Sequence, residues 1–512
     1  MLAALPTAFA ENATITQPEL GAVSAQIITQ DGFQFKDLNK NGKLDPYEDW
    51  RLSAQERAQD LLSQMSSEDK AAQMLHVTLV TLKENWFNEL DIGFALAYTY
   101  LAEGAETAAK NTNEIQALAE SSRLGIPVVF SMDSVIGASW VDGATVLPDQ
   151  LTLAATGDAD LVRQLAEIQN KEMRAIGVRM SLSPVADLAT DPRWGRVQEC
   201  FGEDADTAKA MVVATIEGLQ GGSTLTDESV MACVKHFPGS GSQTAGVDGT
   251  PLVYDDDTFP ISLSIFQAAI DAGAACIMPY GYSTVPYLGG DAVDNYAHES
   301  STVMTDLLRG KLGFTGIIQT DWGLSPTAAA VAGADVLGGA SQREISKLVD
   351  ALNEDQLDEK VGKILVAKFE LGIFENPYVD EEAASAVLSD QTSKNAVKEA
   401  AARALTLVKY ENITPLTGQK LIVAGSLAED GHERQHTHRH RRGTQQGKDD
   451  APEKSKAHRA VDYARFVQLG RNGFNEAGIE HYRKWKIDRR VDEHKRNLLA
   501  VQAQRAQQLR GG

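Results

Sequence analysis

The stretch Gly316-Ile317-Ile318-Gln319-Thr320-Asp321-Trp322-Gly323 decides the fold. A short apolar run of this kind reads as a buried strand. It ends in a carboxylate, an indole and a glycine. The C-terminal tip of a parallel strand is where barrel enzymes keep catalytic groups. By itself the tripeptide says little, because many strands end in Asp for turn reasons. Two upstream segments of the same character give it weight: Asp191-Pro192-Arg193-Trp194-Gly195-Arg196 and Lys235-His236-Phe237-Pro238-Gly239.

Outward from this stretch, apolar strand-like runs recur at 126–133, 178–185, 231–236 and 275–280, with a last one at 334–337. Helical patterning fills the gaps, as at 160–176, and this alternation argues for a parallel α/β architecture. Several runs end in Asp, Lys-His or Tyr. Polar groups gathered at one end of successive strands are what the active face of a (β/α)8 TIM-like barrel requires. We expect the barrel over 55–375, closed by one or two amphipathic helices at 345–374. A linker at 376–385 and a helix at 390–410 should follow, with a strand near Leu421 starting a second α/β domain within 376–426.

The chain has 512 residues, 43% of them hydrophobic, and a net charge of -23. A strongly acidic surface repels phosphate backbones, so nucleic acid is not an expected partner. No run approaches 18 apolar residues, so no membrane-spanning helix is expected. The three cysteines, Cys200, Cys233 and Cys276, fit no metal or redox spacing. Cys233 and Cys276 lie in apolar runs and read as small core residues. Ala8-Phe9-Ala10 matches a small-x-small cleavage site, so 1–10 reads as the remnant of an export signal and the protein as periplasmic or secreted.

Charge is unevenly spread. From Leu427 onward there are 19 Lys and Arg against 12 Asp and Glu, a net of +7, and seven of the ten histidines. The change falls within one apparent strand. A reading-frame shift or truncation near Asp430 would produce it; the alternative is a genuine basic, low-order tail over 427–512, with a helix at 491–509. A histidine cluster at 432–440 has the composition of an adventitious transition-metal binder.

Asp321, Trp322, Lys235, His236, Arg196 and Asp133 form one set. Sugars are dense in vicinal hydroxyls. A carboxylate accepts two of them at once, and Lys, His and Arg donate to others. An indole offers the flat face on which a sugar ring stacks. A carboxylate beneath the anomeric carbon can attack it. Taken singly, each residue has a plainer use. Asp133 and Asp321 could cap helices. Lys235 and His236 could serve buried ion pairs, and Arg193 or Arg196 could pair with Glu199, Glu203 or Asp204.

Four segments in order resemble family 3 glycoside hydrolases. They are Ser122-Arg123-Leu124-Gly125-Ile126-Pro127; DPRWGR with Phe201-Gly202-Glu203-Asp204; KHFPG; and TDWG. The resemblance runs over about 37–425. It implies a (β/α)8-type barrel followed by an α/β sandwich domain, and retaining hydrolysis of β-glycosides from the non-reducing end. By that resemblance Asp321 is the nucleophile. Asp133, Arg196, Lys235, His236 and Tyr280 hold the sugar in the first subsite, and Trp322 is a stacking wall. The substrate is a β-glycoside or oligosaccharide, and catalysis needs no cofactor.

Two departures bear on the acid/base. One branch of the family places a His in the loop after KHFPG; residues 240–248 contain none, which argues against the N-acetylglucosaminidase branch. In the two-domain branch a Glu of the second domain serves, and the sequence past Gly425 does not resemble that domain. A retaining glycosidase needs two carboxyl groups ~5–5.5 Å apart, and one is legible here. General acid assistance is worth roughly 10²–10⁴-fold, so substrates with poor leaving groups should be cleaved slowly. The reading is a β-glucosidase-type enzyme. A β-xylosidase is the alternative within the family, and a degenerate sugar-binding protein the alternative outside enzymes.

A separate loop lies within the segment 11–54. Asp37, Asn39, Asn41, Lys43, Asp45 and Glu48 follow the EF-hand calcium spacing, with Gly42 at the sharp turn and Lys43 supplying its carbonyl. A structural calcium is expected there, or else an Asx-rich turn without metal. The exiting helix fits 53–65, while 32–36 does not read as an entering helix.

Overall fold

The computed structural model describes residues 16–322 and 325–406. Strands β1 (Gln26–Gln30) and β2 (Phe33–Asp37) pair antiparallel across Asp31 and Gly32. Both turn residues have positive φ, the geometry that keeps a two-residue hairpin in register. Eight further strands are β3 (Leu75–Thr78), β4 (Phe94–Leu96), β5 (Val129–Met132), β6 (Val178–Ser181), β7 (Met231–Phe237), β8 (Cys276–Pro279), β9 (Ile317–Ile318) and β10 (Leu337–Gly338). They pair in parallel in the order β10-β3-β4-β5-β6-β7-β8-β9. The ring closes between β9 and β10. Thr320 N donates to Val336 O at 2.8 Å and Val336 N to Ile318 O at 3.1 Å. The expected (β/α)8 barrel is thus present.

Strands β3 and β4 carry no clear sequence signal. β4 is three residues long, and β3 has a histidine among its apolar residues. That histidine, His76, is fully buried and bonds Gln319 Oε1 at 3.0 Å and Ser131 Oγ at 2.6 Å. Burial holds its pKa down to about 4, so it is neutral at physiological pH. A buried polar group needs partners, and β5 and the β9 exit supply them. His76 therefore belongs to a polar layer beneath the active face.

The outer helices follow their caps. Asp158 accepts from Leu161 N at 3.0 Å and starts Ala159–Ala175, which buries Leu161, Val162, Leu165, Ala166 and Met173. Each large apolar side chain among these contributes roughly 1.5–3 kcal/mol of burial. Asp204, last residue of the FGED segment, caps Ala205–Gln220 through Thr207 N at 2.8 Å. Gly221 ends that helix in the left-handed region at φ 78°.

The segment 345–374 holds two helices, Glu344–Ala351 and Glu354–Glu370, within the one or two expected, and Asn353 and Gln356 form the capping box that starts the second. Two expectations need adjustment. The expected linker at 376–385 turns helical from Glu381. Helix Glu381–Leu388 is capped by Asp380 and buries Ala384 and Leu388, a footprint too small to stand out as periodicity. The helix expected over 390–410 runs Gln391–Arg403, started by Asp390. The signal remnant 1–10, the strand near Leu421, and the tail 427–512 with its helix and histidines lie outside the described residues. Among the described residues no helix is long and apolar enough to cross a membrane.

Glu120 fastens the N-terminal segment to the barrel. Its Oε1 accepts from the N–H groups of Val23, Ser24 and Ala25 at 2.7, 2.5 and 2.8 Å, and its Oε2 lies 3.2 Å from Lys36 Nζ. Burial opposes ionisation, yet Lys36 and the three N–H groups bring its pKa down to about 2. A depressed carboxylate pKa stabilises the fold above the unfolded value, and that stability is lost as pH falls through the folded value. Burial also pulls Lys36 below its ordinary pKa, so the pair stabilises by less than the Glu120 shift alone implies. We expect Glu120→Gln to lower stability at pH 7 by up to about 3 kcal/mol. The difference should vanish as pH drops from about 4.5 toward 2. Urea denaturation across that range measures it.

Candidate active site

Five of the eight strand exits on the C-terminal face contribute a group. Asp133 follows β5, and Lys235 and His236 end β7. Tyr280 follows β8, and Asp321 and Trp322 follow β9. Arg196 sits in the loop after β6. All seven residues expected from the sequence meet there.

Lys235 Nζ donates to Asp133 Oδ1 at 2.8 Å, with the Lys235 side chain buried and that of Asp133 40% exposed. Burial works to raise the Asp133 pKa; Lys235, by charge and hydrogen bond, and then the Arg196 charge outweigh it and hold the carboxyl below its ordinary value. Asp133 is thus an ionised acceptor open to a ligand. The Lys235–His236 and Phe237–Pro238 peptides are both cis.

His236 is held by a residue that the sequence reading passes over. Asp187 is fully buried; its Oδ2 lies 2.8 Å from His236 Nδ1. Its Oδ1 accepts from His236 N at 3.0 Å and from Ser240 N at 2.7 Å. The other ring nitrogen, Nε2, lies 3.4 Å from Arg196 Nη1. Burial would raise the Asp187 pKa, but His236 and its N–H outweigh it and keep it low. Arg196 is bound to Glu199 Oε2 at 3.1 and 2.8 Å. The plainer pairing with Glu199 and a place in the site are therefore both true of Arg196. Arg193, by contrast, pairs with Asp191 at the surface.

Asp248 is a second unrecognised member. Its Oδ1 accepts from Tyr280 Oη at 2.8 Å and from Trp194 Nε1 at 2.7 Å, tying DPRWGR to the β8 exit. Burial, then the Asp248 carboxylate, raise the Tyr280 phenol pKa, so it remains a protonated donor. No spacing rule marks Asp187 or Asp248. Each lies in a loop and becomes a partner only when the barrel brings loops together.

Among the described residues Asp321 caps no helix. Its Oδ2 accepts from Gly281 N at 3.3 Å and its Oδ1 from Trp322 N at 2.7 Å. Asp133 likewise caps none; its carbonyl accepts from Trp140 Nε1 at 2.9 Å. Trp322 is half-buried, its Nε1 donating to Thr78 Oγ1 at 2.8 Å and its ring 5.1 Å from His76. Gly339, at φ 73°, leaves room for that indole, since a Cβ there would stand 2.7 Å from Trp322 Cδ1. Gly281 does the same for the carboxylate. A Cβ at 281 would stand 2.8 Å from Asp321 Cβ and 3.1 Å from Oδ2. Gly281→Ala must push the carboxylate aside, and a displacement near 1 Å can cost about 10²-fold in rate. We expect that loss in kcat with a melting temperature close to wild type, measured on an aryl β-glucoside.

The loop 37–48 closes on its own hydrogen bonds. Asp37 accepts from Asn41 N and Gly42 N, both at 3.0 Å. Glu48 accepts from Leu38 N at 2.7 Å, Asn39 N at 3.2 Å and Asp45 N at 3.0 Å. Asn39 and Asn41 turn their amide nitrogens toward Asp45 Oδ2. As expected, no helix enters the loop; β2 does, and Ala54–Gln64 is the helix that leaves. Among the described residues no group of three or more His, Cys, Asp or Glu is gathered as a metal would need.

The chain matches the model of the glycosyl hydrolase family 3 N-terminal domain over residues 66–368. It is 35% identical to a periplasmic β-glucosidase/β-xylosidase of Dickeya chrysanthemi, over 81% of this chain and 74% of that one. It is 33% identical to β-glucosidase C of Emericella nidulans, over 74% and 69%. Among solved structures it is similar to a β-glucosidase of Erythrobacter marinus, with a TM-score of 0.63 and 28% identity. That match covers 70% of this chain and 51% of the other. An exo-1,3/1,4-β-glucanase from a Pseudoalteromonas species matches with a TM-score of 0.64 and 25% identity, over 73% and 49%. The chain belongs to glycosyl hydrolase family 3, a family of glycoside hydrolases. It spans about half the length of these two solved chains.

Proposed function

We propose that the protein is a retaining, exo-acting β-glycosidase that removes terminal non-reducing β-D-glucosyl residues. One observation carries the proposal. Asp321, at the β9 exit, shares a cup with the Asp133–Lys235 pair, Arg196, His236 and Tyr280. In this reading Asp133 accepts from sugar hydroxyls and Lys235 and Arg196 donate to others, while His236 and Tyr280, whose own protons go to Asp187 and Asp248, offer acceptor atoms. Trp322 presents its indole as a wall. Asp321 Oδ attacks the anomeric carbon as the glycosidic bond breaks, and the leaving group departs with the bonding pair. Water then attacks the same carbon and releases the carboxylate. Two inversions give net retention.

The activities for which these relatives are named support the same substrate class. The paired name of the Dickeya protein also favours β-xylosides as a second substrate. Incubation with an activated aryl β-D-glucoside, followed by NMR of the first sugar released, tests the reading. β-Glucose as first product supports it. The α-anomer, or no turnover alongside measurable glucose binding, overturns it in favour of inversion or of a binding protein.

Two smaller readings accompany it. We infer export to the periplasm or beyond, supported by the Ala8-Phe9-Ala10 site and the name of the Dickeya relative. A calcium ion in the loop 37–48 is a proposal that requires a rearrangement. Asn39 and Asn41 would turn their carbonyl oxygens inward, and Glu48 would give up its three N–H partners. If the ion binds, calcium should raise the melting temperature by several degrees over an EDTA sample. Equal melting temperatures would leave a metal-free staple.

A further inference from the structure

The ring of strand exits has two unlike sides between Asp133 and Asp321. Through β6, β7 and β8 it carries Arg196, Lys235, His236 and Tyr280, all hydrogen-bonding groups, with two cations among them. On the other side, at the β4 exit beside Asp133, stands an aromatic pair. Tyr98 follows β4, and its ring lies against Trp140 with centroids 4.2 Å apart and planes at 35°. Trp140 is anchored by its indole N–H to the Asp133 carbonyl at 2.9 Å. Stacked on Trp140, Tyr98 is thereby held on the Asp133 side of the site, and burial, then the Asp133 and Asp321 carboxylates, raise its phenol pKa.

A pyranose also has two unlike edges. One carries the vicinal hydroxyls. The other carries the ring oxygen and C5 with its substituent. With the anomeric carbon over Asp321, the edge dense in vicinal hydroxyls faces the side that carries Arg196, Lys235, His236 and Tyr280, which has the most hydrogen-bonding groups to match it. The C5 edge then faces Tyr98 and Trp140. This orientation rests on the function proposed above.

We propose that Tyr98, braced by Trp140, is the residue that reads the C5 substituent and sets the preference between glucosides and xylosides. A hydroxymethyl group gives the tyrosine ring apolar contact and its phenol a hydrogen-bond partner; a xylose ring, with hydrogen at that position, gives neither. Removing one such group from a pocket changes kcat/KM by roughly 10–200-fold.

The test uses the full chain with 4-nitrophenyl β-D-glucoside and β-D-xyloside, plus titrations with free glucose and xylose followed by tryptophan fluorescence. Tyr98→Ala should lower kcat/KM on the glucoside by about 10-fold or more. The xyloside value should change by less than about threefold, so the ratio collapses toward unity. Tyr98→Phe should give an intermediate ratio, and it stands in if the alanine variant misfolds. Glucose affinity should fall relative to xylose affinity in the same way, a readout that needs no turnover. Parallel losses on both sugars would overturn the inference by reducing Tyr98 to a structural role. If wild type neither turns over the glucosides nor binds glucose, the proposed function itself fails. If wild type is active and the ratio does not move, only the role of Tyr98 fails.

Discussion

Asp321→Ala should reduce kcat on an activated aryl β-glucoside by roughly 10⁴-fold or more, the scale of loss when a nucleophile is removed from a covalent mechanism. The carboxylate receives only Gly281 N and Trp322 N, supports no helix and joins no ion pair among the described residues. Its removal therefore leaves the neighbouring hydrogen bonds of the site intact. Melting temperature should stay within a few degrees of wild type, and glucose should still bind through Asp133, Lys235 and Arg196. Steady-state kinetics and calorimetry on the same preparation separate these outcomes. A modest loss of rate would move the chemistry to another carboxyl group.

The second large effect falls on Asp187, which touches no substrate in this account. Its carboxylate is fully buried and organises three donors: the His236 ring, the His236 N–H and the Ser240 N–H. Asp187→Asn presents an amide N–H where His236 Nδ1 now finds an acceptor, which reverses the favoured tautomer and releases the ring. We expect kcat/KM to fall by roughly 10²–10³-fold, because a misaligned group loses its preorganisation. Asp187→Ala leaves buried donors unmatched and should cost about 3–5 kcal/mol of stability. The pH sign follows from the direction of the Asp187 shift. A folded pKa below the unfolded value, about 3.9, gives stability present above that value and lost as pH falls below it. The alanine variant should therefore show a shallower acid limb than wild type. Tautomer-sensitive NMR of the histidine, alongside kinetics, distinguishes this positioning role from simple destabilisation.

Whether a residue of this site is visible in the sequence has a physical basis. Asp321, Lys235 and His236 are legible because they end apolar runs, where the pattern of the strand marks the exit. Asp133 and Tyr280 are legible for the same reason. Asp187 and Asp248 are not, because each lies in a loop whose partners are 49 and 32 residues away along the chain. Strand β3 is hidden by His76, a polar residue that pattern reading takes as outward-facing and that in fact bonds across the barrel interior. The cap residues Asp158 and Asp204 follow the usual signals, although Asp204 stands out as part of a family segment rather than as a helix start. The calcium-type spacing at 37–48 is legible in the sequence, whereas the backbone N–H partners of Glu48 come only from the folded loop.

The central claim is that Asp321 forms a bond to the anomeric carbon. A 2-deoxy-2-fluoro-β-D-glucosyl fluoride slows both steps, departure of its fluoride still allows the first, and the glycosyl-enzyme accumulates. Proteolysis and mass spectrometry of the trapped protein then locate the sugar. The account predicts one added fluorosugar on the peptide containing Asp321, and none in the Asp321→Ala variant. A label on any other peptide, or an unlabelled wild type that still hydrolyses the aryl glucoside, would contradict it.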